Sequence, residues 1–367
     1  MSLSPDLQPV PFQPDMEQTE PGEIETIREL VEVFLDMAHT VADTEGHAFR
    51  AVHAKGHGLL RGTLTVLDDL PPPYAQGLFA QPGRYDALMR LSSPPAEQLS
   101  DQVSTPRALA LKLMRVPGER VQESWDHDTQ DFLMVNGPAF SRAGPKDFLK
   151  DVKLLAATTE KAPHAKELLS SVLQGAEAMI EAVGGESAQL KALGGEPQAH
   201  PLGETYFSQT PFLYGPYIAK FSIAPVSPSL TALTDQRLQG DDDDLLRHAV
   251  SAFFAHNGEP AEWELRAQLC TDRDRMPVED ASVRWPEELS PWVAVASLRI
   301  PQQQSWLQGR SQVEEDELAF DPWHALAAHR PLGAVNRARR VVLEASRQFR
   351  GSFNRCPIHE PRLTRRA

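Results

Sequence analysis

Apolar residues recur at helical spacing through "GEIETIRELVEVFLDMAHTVADTE", at Ile24, Ile27, Leu30, Val31 and Leu35, which predicts an amphipathic helix. From about residue 46 the texture changes. "GLLRGTLTVL", "DALMRLS", "RALALKLMRV" and "QDFLMVNG" are short runs bounded by Pro, Gly and Asp, as strands are. An Ala-rich helical stretch follows over about 145–197. Strand patterns return in "ETYFSQTPFLYG", "YIAKFSIAPV", "AEWELRAQLC" and "WVAVASLRIP", and "GDDDDLLRH" reads as a solvated turn leading into a short helix. The last section, about 321–350, is helical again, while residues 1–22 are Pro-rich and polar and predict an extended arm without a core of its own. Strands, a helical insertion, more strands and then helices predict an α+β domain with a mainly antiparallel sheet, closed into a barrel.

Composition narrows the function more than the fold. The chain has 367 residues, long enough for a full-sized core. Its 36 Lys and Arg against 51 Asp and Glu give a net charge of −15, which disfavours non-specific nucleic-acid binding. Arginines nevertheless concentrate near the C-terminus in "NRARR" and "RQFRG", leaving room for a locally basic pocket. Two cysteines, Cys270 and Cys356, make neither a disulfide framework nor a zinc spacing and fit a reducing cytoplasm. No secretory signal and no membrane-spanning apolar run is visible. A Gly-rich phosphate loop, a Ser nucleophile elbow and H-E-x-x-H are all missing from the sequence.

"RAVHAKGHGLLRGTLTV" resembles the distal-side signature of haem catalases, R-x-x-H-A-K-G. Further segments follow in the family's order. "MRLSS" carries Arg90, "STPRALALKLM" carries Arg107 and Lys112, and "DFLMVNGPAF", "ELAFDP" and "RGSFNRCP" come after them. The resemblance spans roughly residues 45–360 and is to the compact, catalase-related branch. It implies an eight-stranded antiparallel β-barrel with helices around it, a single domain over 23–367, and a buried haem b. It also implies a peroxide or hydroperoxide substrate; a homo-oligomer is compatible with it.

The resemblance assigns roles residue by residue. A histidine in a strand is usually structural, but a neutral imidazole suits proton transfer to and from peroxide, and His53 falls on the motif. His57 and His47 have no motif role. Asn136 would be the distal amide that orients peroxide. Aligning on Pro138 puts it at the family's second asparagine, and a one-residue gap at the catalytic first. Arg50, Arg90 and Arg350 resemble arginines that pair with haem propionates, for which a bidentate guanidinium is suited. Phe140 and Phe148 would pack on the porphyrin.

On the proximal side the pattern breaks. The family ligates iron through a tyrosine in R-x-x-x-Y on the C-terminal helix. Here "RARRVVLEASRQFR" keeps the arginine, as Arg339, but places Leu343 at the ligand position. Arg339, Leu343, Arg347 and Arg350 are expected on one helix face. None of the five tyrosines lies in this helix, so His324, His329, Cys356, a water or an open site remain as axial alternatives. Arg339, without a phenolate, must be solvated or paired anew. The leading expectation is a haem-dependent, catalase/peroxidase-like oxidoreductase that decomposes hydrogen peroxide or an organic hydroperoxide. The alternatives are a non-catalytic haem- or partner-binding protein, and a haem enzyme with altered chemistry on an organic substrate.

Overall fold

A computed structural model of the protein describes residues 8–103, 105–122, 127–156 and 198–359. Nine strands, β1 (Lys55–Val66), β2 (Arg84–Ser93), β3 (Ala108–Leu113), β4 (Gln130–Val135), β5 (Tyr206–Phe207), β6 (Phe212–Tyr214), β7 (Tyr217–Pro225), β8 (Ala261–Leu269) and β9 (Val293–Ile300), form one antiparallel sheet. Its order is β5-β4-β3-β2-β1-β9-β8-β7-β6. Tyr206 and Phe207 of β5 also pair with Ile223 and Ser222 of β7, which closes eight strands into a barrel and leaves β6 as an outlying partner of β7. The expected barrel is therefore present. Alternation explains its core: Leu60 and Leu64 of β1, Leu111 and Leu113 of β3 and Leu265 of β8 point inward and are fully buried.

Among the described residues six helices accompany the barrel: α1 (Glu23–Glu45), α2 (Pro145–Ala156), α3 (Pro228–Thr231), α4 (Leu245–His256), α5 (Arg310–Asp316) and α6 (Ala334–Phe353). The predicted α1 forms, but its buried stripe is Leu30, Phe34, Met37 and Val41, while Ile24 is 68 % exposed. Leu30 and Phe34 pack with Leu149 and Val152 of α2 and with Ala338 and Val342 of α6. These three helices cover the outer face of the β3–β4 side of the barrel. The helical insertion is seen as α2; its continuation after residue 156 lies outside the described residues.

The C-terminal section is less helical than expected. Residues 321–333 are irregular apart from a short 3-10 turn, Ala327–His329, and α6 starts only at Ala334. Pro331 holds Arg330 in an extended conformation, and Gly333 at φ +84 finishes the turn. The N-terminal arm lies against the barrel: Val10 N–H donates to Cys270 O and Phe12 N–H to Pro216 O, both at 2.8 Å.

Candidate functional site

The space between the β3–β4 face and the helical layer holds a cavity of about 210 Å³. Small residues make the room on the barrel side, where Ala108 and Ala110 of β3 face it. On the helical side α6 contributes Val335, Ala338, Arg339, Val342 and Leu343, at the i, i+3, i+4, i+7, i+8 spacing of one helix face. Phe140 and Phe148 form one end, with ring centroids 4.9 Å apart.

His53 enters from the bend just before β1, with a left-handed φ of +54 that is unusual for a residue with a side chain. Arg90 of β2 holds this conformation by donating Nη2–H to His53 O at 2.9 Å and Ala54 O at 3.3 Å. Burial, aided by Arg90 and Arg339, pushes the His53 imidazole down to about 3, so the ring is neutral at pH 7. Its Nδ1 has no hydrogen-bond partner. A neutral, unpartnered imidazole at an apolar cavity can take up or hand over a proton.

The arginines are engaged differently from what the resemblance implies. Arg90 is ion-paired with Glu315 of α5 (Nε–Oε1 2.7 Å), and both side chains are about 95 % buried. Arg50 donates to Glu315 O at 2.8 Å and Leu318 O at 3.1 Å, and Arg350 to Asp316 O and Leu318 O, both at 3.2 Å. Carbonyls at and just after the end of α5 thus accept from Arg50 and Arg350, an arrangement favoured by the negative end of the helix dipole, while Arg90 is held by the Glu315 side chain. Gly56 belongs to the same arrangement, because a Cβ there would collide with the Glu315 carboxylate. Sequence reasoning missed Glu315, which lies 225 residues from Arg90 and carries no motif of its own.

Seven predicted residues meet on the wall: Arg50, His53, Arg90, Phe140, Phe148, Arg339 and Leu343. Asn136 does not line it. Its Oδ1 accepts from Arg107 N–H at 2.9 Å and its Nδ2 donates to Glu204 Oε1 at 2.8 Å, so a network behind β4 holds the amide that was expected to orient peroxide. Arg350 and Arg347 also lie off the wall. Arg347 is twelve residues on from Val335, a rotation of about 120° at 3.6 residues per turn, which carries it beyond the arc from Val335 to Leu343, and it pairs with Glu344.

Arg339 is indeed paired anew. Its Nη1–H groups donate to Thr210 Oγ1 at 3.1 Å and Asn336 Oδ1 at 3.3 Å, and its Cζ lies 6.0 Å from the Phe140 ring centroid. Burial lowers its pKa to about 10, with Asp321 opposing, so it stays cationic.

The axial alternatives lie elsewhere. His324 Nδ1 is 3.2 Å from Asp131 Oδ2 in a buried network with Lys112. His329 Nε2 accepts from Leu78 N–H at 2.9 Å, and Cys356 follows α6 away from the cavity. No tyrosine lines the cavity, and among the described residues no cluster of His, Cys, Asp or Glu could hold a metal ion. The apolar lining would suit a porphyrin, but the donor set does not fit a haem bound as the resemblance implies. The α6 wall offers iron no ligand, and the propionate arginines already have partners.

No family model and no curated protein matches the sequence. Solved structures do. A fungal catalase matches with a TM-score of 0.58 at 17 % identity over 88 % of this chain and 63 % of its own. Catalase A from Saccharomyces cerevisiae matches at 0.58 and 19 %, over 88 % and 65 %. A bacterial catalase matches at 0.58 and 15 %, over 98 % and 66 %. The chain has the catalase fold. It spans about two thirds of the length of these catalases, and no helix among the described residues is long and apolar enough to cross a membrane.

Proposed function

We propose that this catalase-fold chain binds an apolar organic molecule in the cavity between barrel and helices, with His53 as the proton-transferring group. The observation that carries this reading is the α6 wall, where Val335, Ala338, Val342 and Leu343 stand around a lone guanidinium and no iron ligand is present. Electron donation from an anionic axial ligand, as from a thiolate, favours O–O cleavage at haem iron. Leucine donates nothing, so rapid peroxide dismutation has no support on this side.

A second reading, haem b-dependent decomposition of hydrogen peroxide or an organic hydroperoxide in the manner of the compact catalase-related branch, draws on His53. The strained backbone and the unpartnered Nδ1 are features of a working residue more than of a structural one. One experiment separates the two. The protein is produced with haem supplied, its absorption spectrum is recorded after gel filtration, and oxygen release from peroxide is assayed. The proposal expects no protein-bound Soret band and no oxygen release. A stoichiometric Soret band with oxygen release would overturn it in favour of the haem enzyme. Leu343→Tyr is the complement: a phenol beside Arg339 is expected to raise haem retention above that of the parent.

A further inference from the structure

The cations on the cavity wall are matched unevenly: Arg50 and Arg90 lie near the Glu315 charge, and Arg339 has Asp321 alone. Three guanidinium groups reach the wall. Arg90 has the Glu315 carboxylate, and Arg50 has two carbonyls at the end of α5. Arg339 has only the neutral oxygens of Thr210 and Asn336 and the face of Phe140. Asp321 acts on it through space without a hydrogen bond to it. Arg339 is half-buried on the cavity wall with no carboxylate within hydrogen-bond reach, so a carboxylate is the partner that a guanidinium there would take up most strongly. The rest of the wall is apolar, so an anion carried by an apolar body would suit it.

We infer that the cavity takes an organic carboxylate, aliphatic or aromatic, whose carboxylate pairs with Arg339 and whose apolar body lies along Val335, Ala338, Val342 and Leu343 towards Phe148. This inference rests on the binding reading proposed above and names the ligand class of that site. His53, neutral and on the same wall, adds no second charge, so one anionic head is enough. The nearby Thr210 Oγ1 and Asn336 Oδ1 keep bonds to each other (3.1 Å), and Asn336 Nδ2 donates to Pro211 O and Leu332 O. Arg339 can therefore turn one edge to a ligand without leaving a neighbouring polar group unpaired.

Isothermal titration calorimetry of the full chain with decanoate and with 1-decanol, matched in length and differing in the head, tests the inference. Wild type is expected to bind decanoate at least tenfold more tightly than the alcohol. Arg339→Gln should lose that preference while keeping the alcohol, and Arg339→Lys should keep part of it, which guards against a fold defect in the first variant. Equal affinities for the two probes in wild type, or an undiminished preference in Arg339→Gln, would overturn the carboxylate assignment and leave the apolar chamber standing. Binding of neither probe would sink the chamber reading as well.

Discussion

The two walls of the cavity solve the same problem in opposite ways. Both place cations beside apolar surface. On the barrel wall each cation is answered from within the fold: the Glu315 carboxylate pairs with Arg90, and carbonyls at the end of α5 accept from Arg50. On the helix wall Arg339 is left with neutral partners. The first arrangement holds His53 in its strained conformation and needs no ligand. The second leaves Arg339 without a hydrogen-bonded carboxylate, and the proposed ligand class rests on that difference.

The largest test of this contrast removes the answer on the barrel side. Glu315→Ala leaves Arg90 buried and uncompensated and is expected to destabilise the protein by about 3–5 kcal/mol in thermal or denaturant unfolding. A loss below about 1 kcal/mol would show that Arg90 finds other partners and that α5 is not its anchor.

The next effect is on pH. Burial holds His53 at about 3 and His200 and His329 at about 4. The unfolded chain protonates near the ordinary 6.5 and so binds more protons than the native state below that pH. Stability should be full above pH 6.5 and fall by several kcal/mol as pH drops towards 4, read as the denaturant midpoint across that window. A flat profile would mean that these rings are already open to water.

The smallest effect has the opposite sign and is the sharpest. Arg339→Met removes a half-buried cation that has no hydrogen-bonded carboxylate, and the protein is expected to gain up to about 1 kcal/mol or to be unchanged. Destabilisation comparable to that of Glu315→Ala would mean that the helix wall is as self-sufficient as the barrel wall, and the contrast would fail.

Much of the barrel could be read from the sequence, for a local reason. Alternation in "GLLRGTLTVL" and "RALALKLMRV" repeats every two residues, and β1 and β3 form where it predicts. The ends of the helices were harder to read. Ala-rich "HALAAH" looks helical on composition, yet Pro331 and Gly333 delay α6 until Ala334. Two site residues were misplaced because the direction of a side chain depends on its packing. Asn136 follows β4 directly, but the side chains of Arg107 and Glu204 draw its amide away from the cavity.

The sequence by itself determined the barrel strands and the leucine at 343, because both are properties of residue type and short-range spacing, whereas His53, expected in a strand, sits in the bend before β1. Only the tertiary structure decided which arginines are answered. The pairing of Arg90 with Glu315 joins positions 225 apart, and no local pattern records a contact that exists only once β2 and α5 are packed together. The charge left over at Arg339 becomes visible only after every other cation on the wall has found its partner.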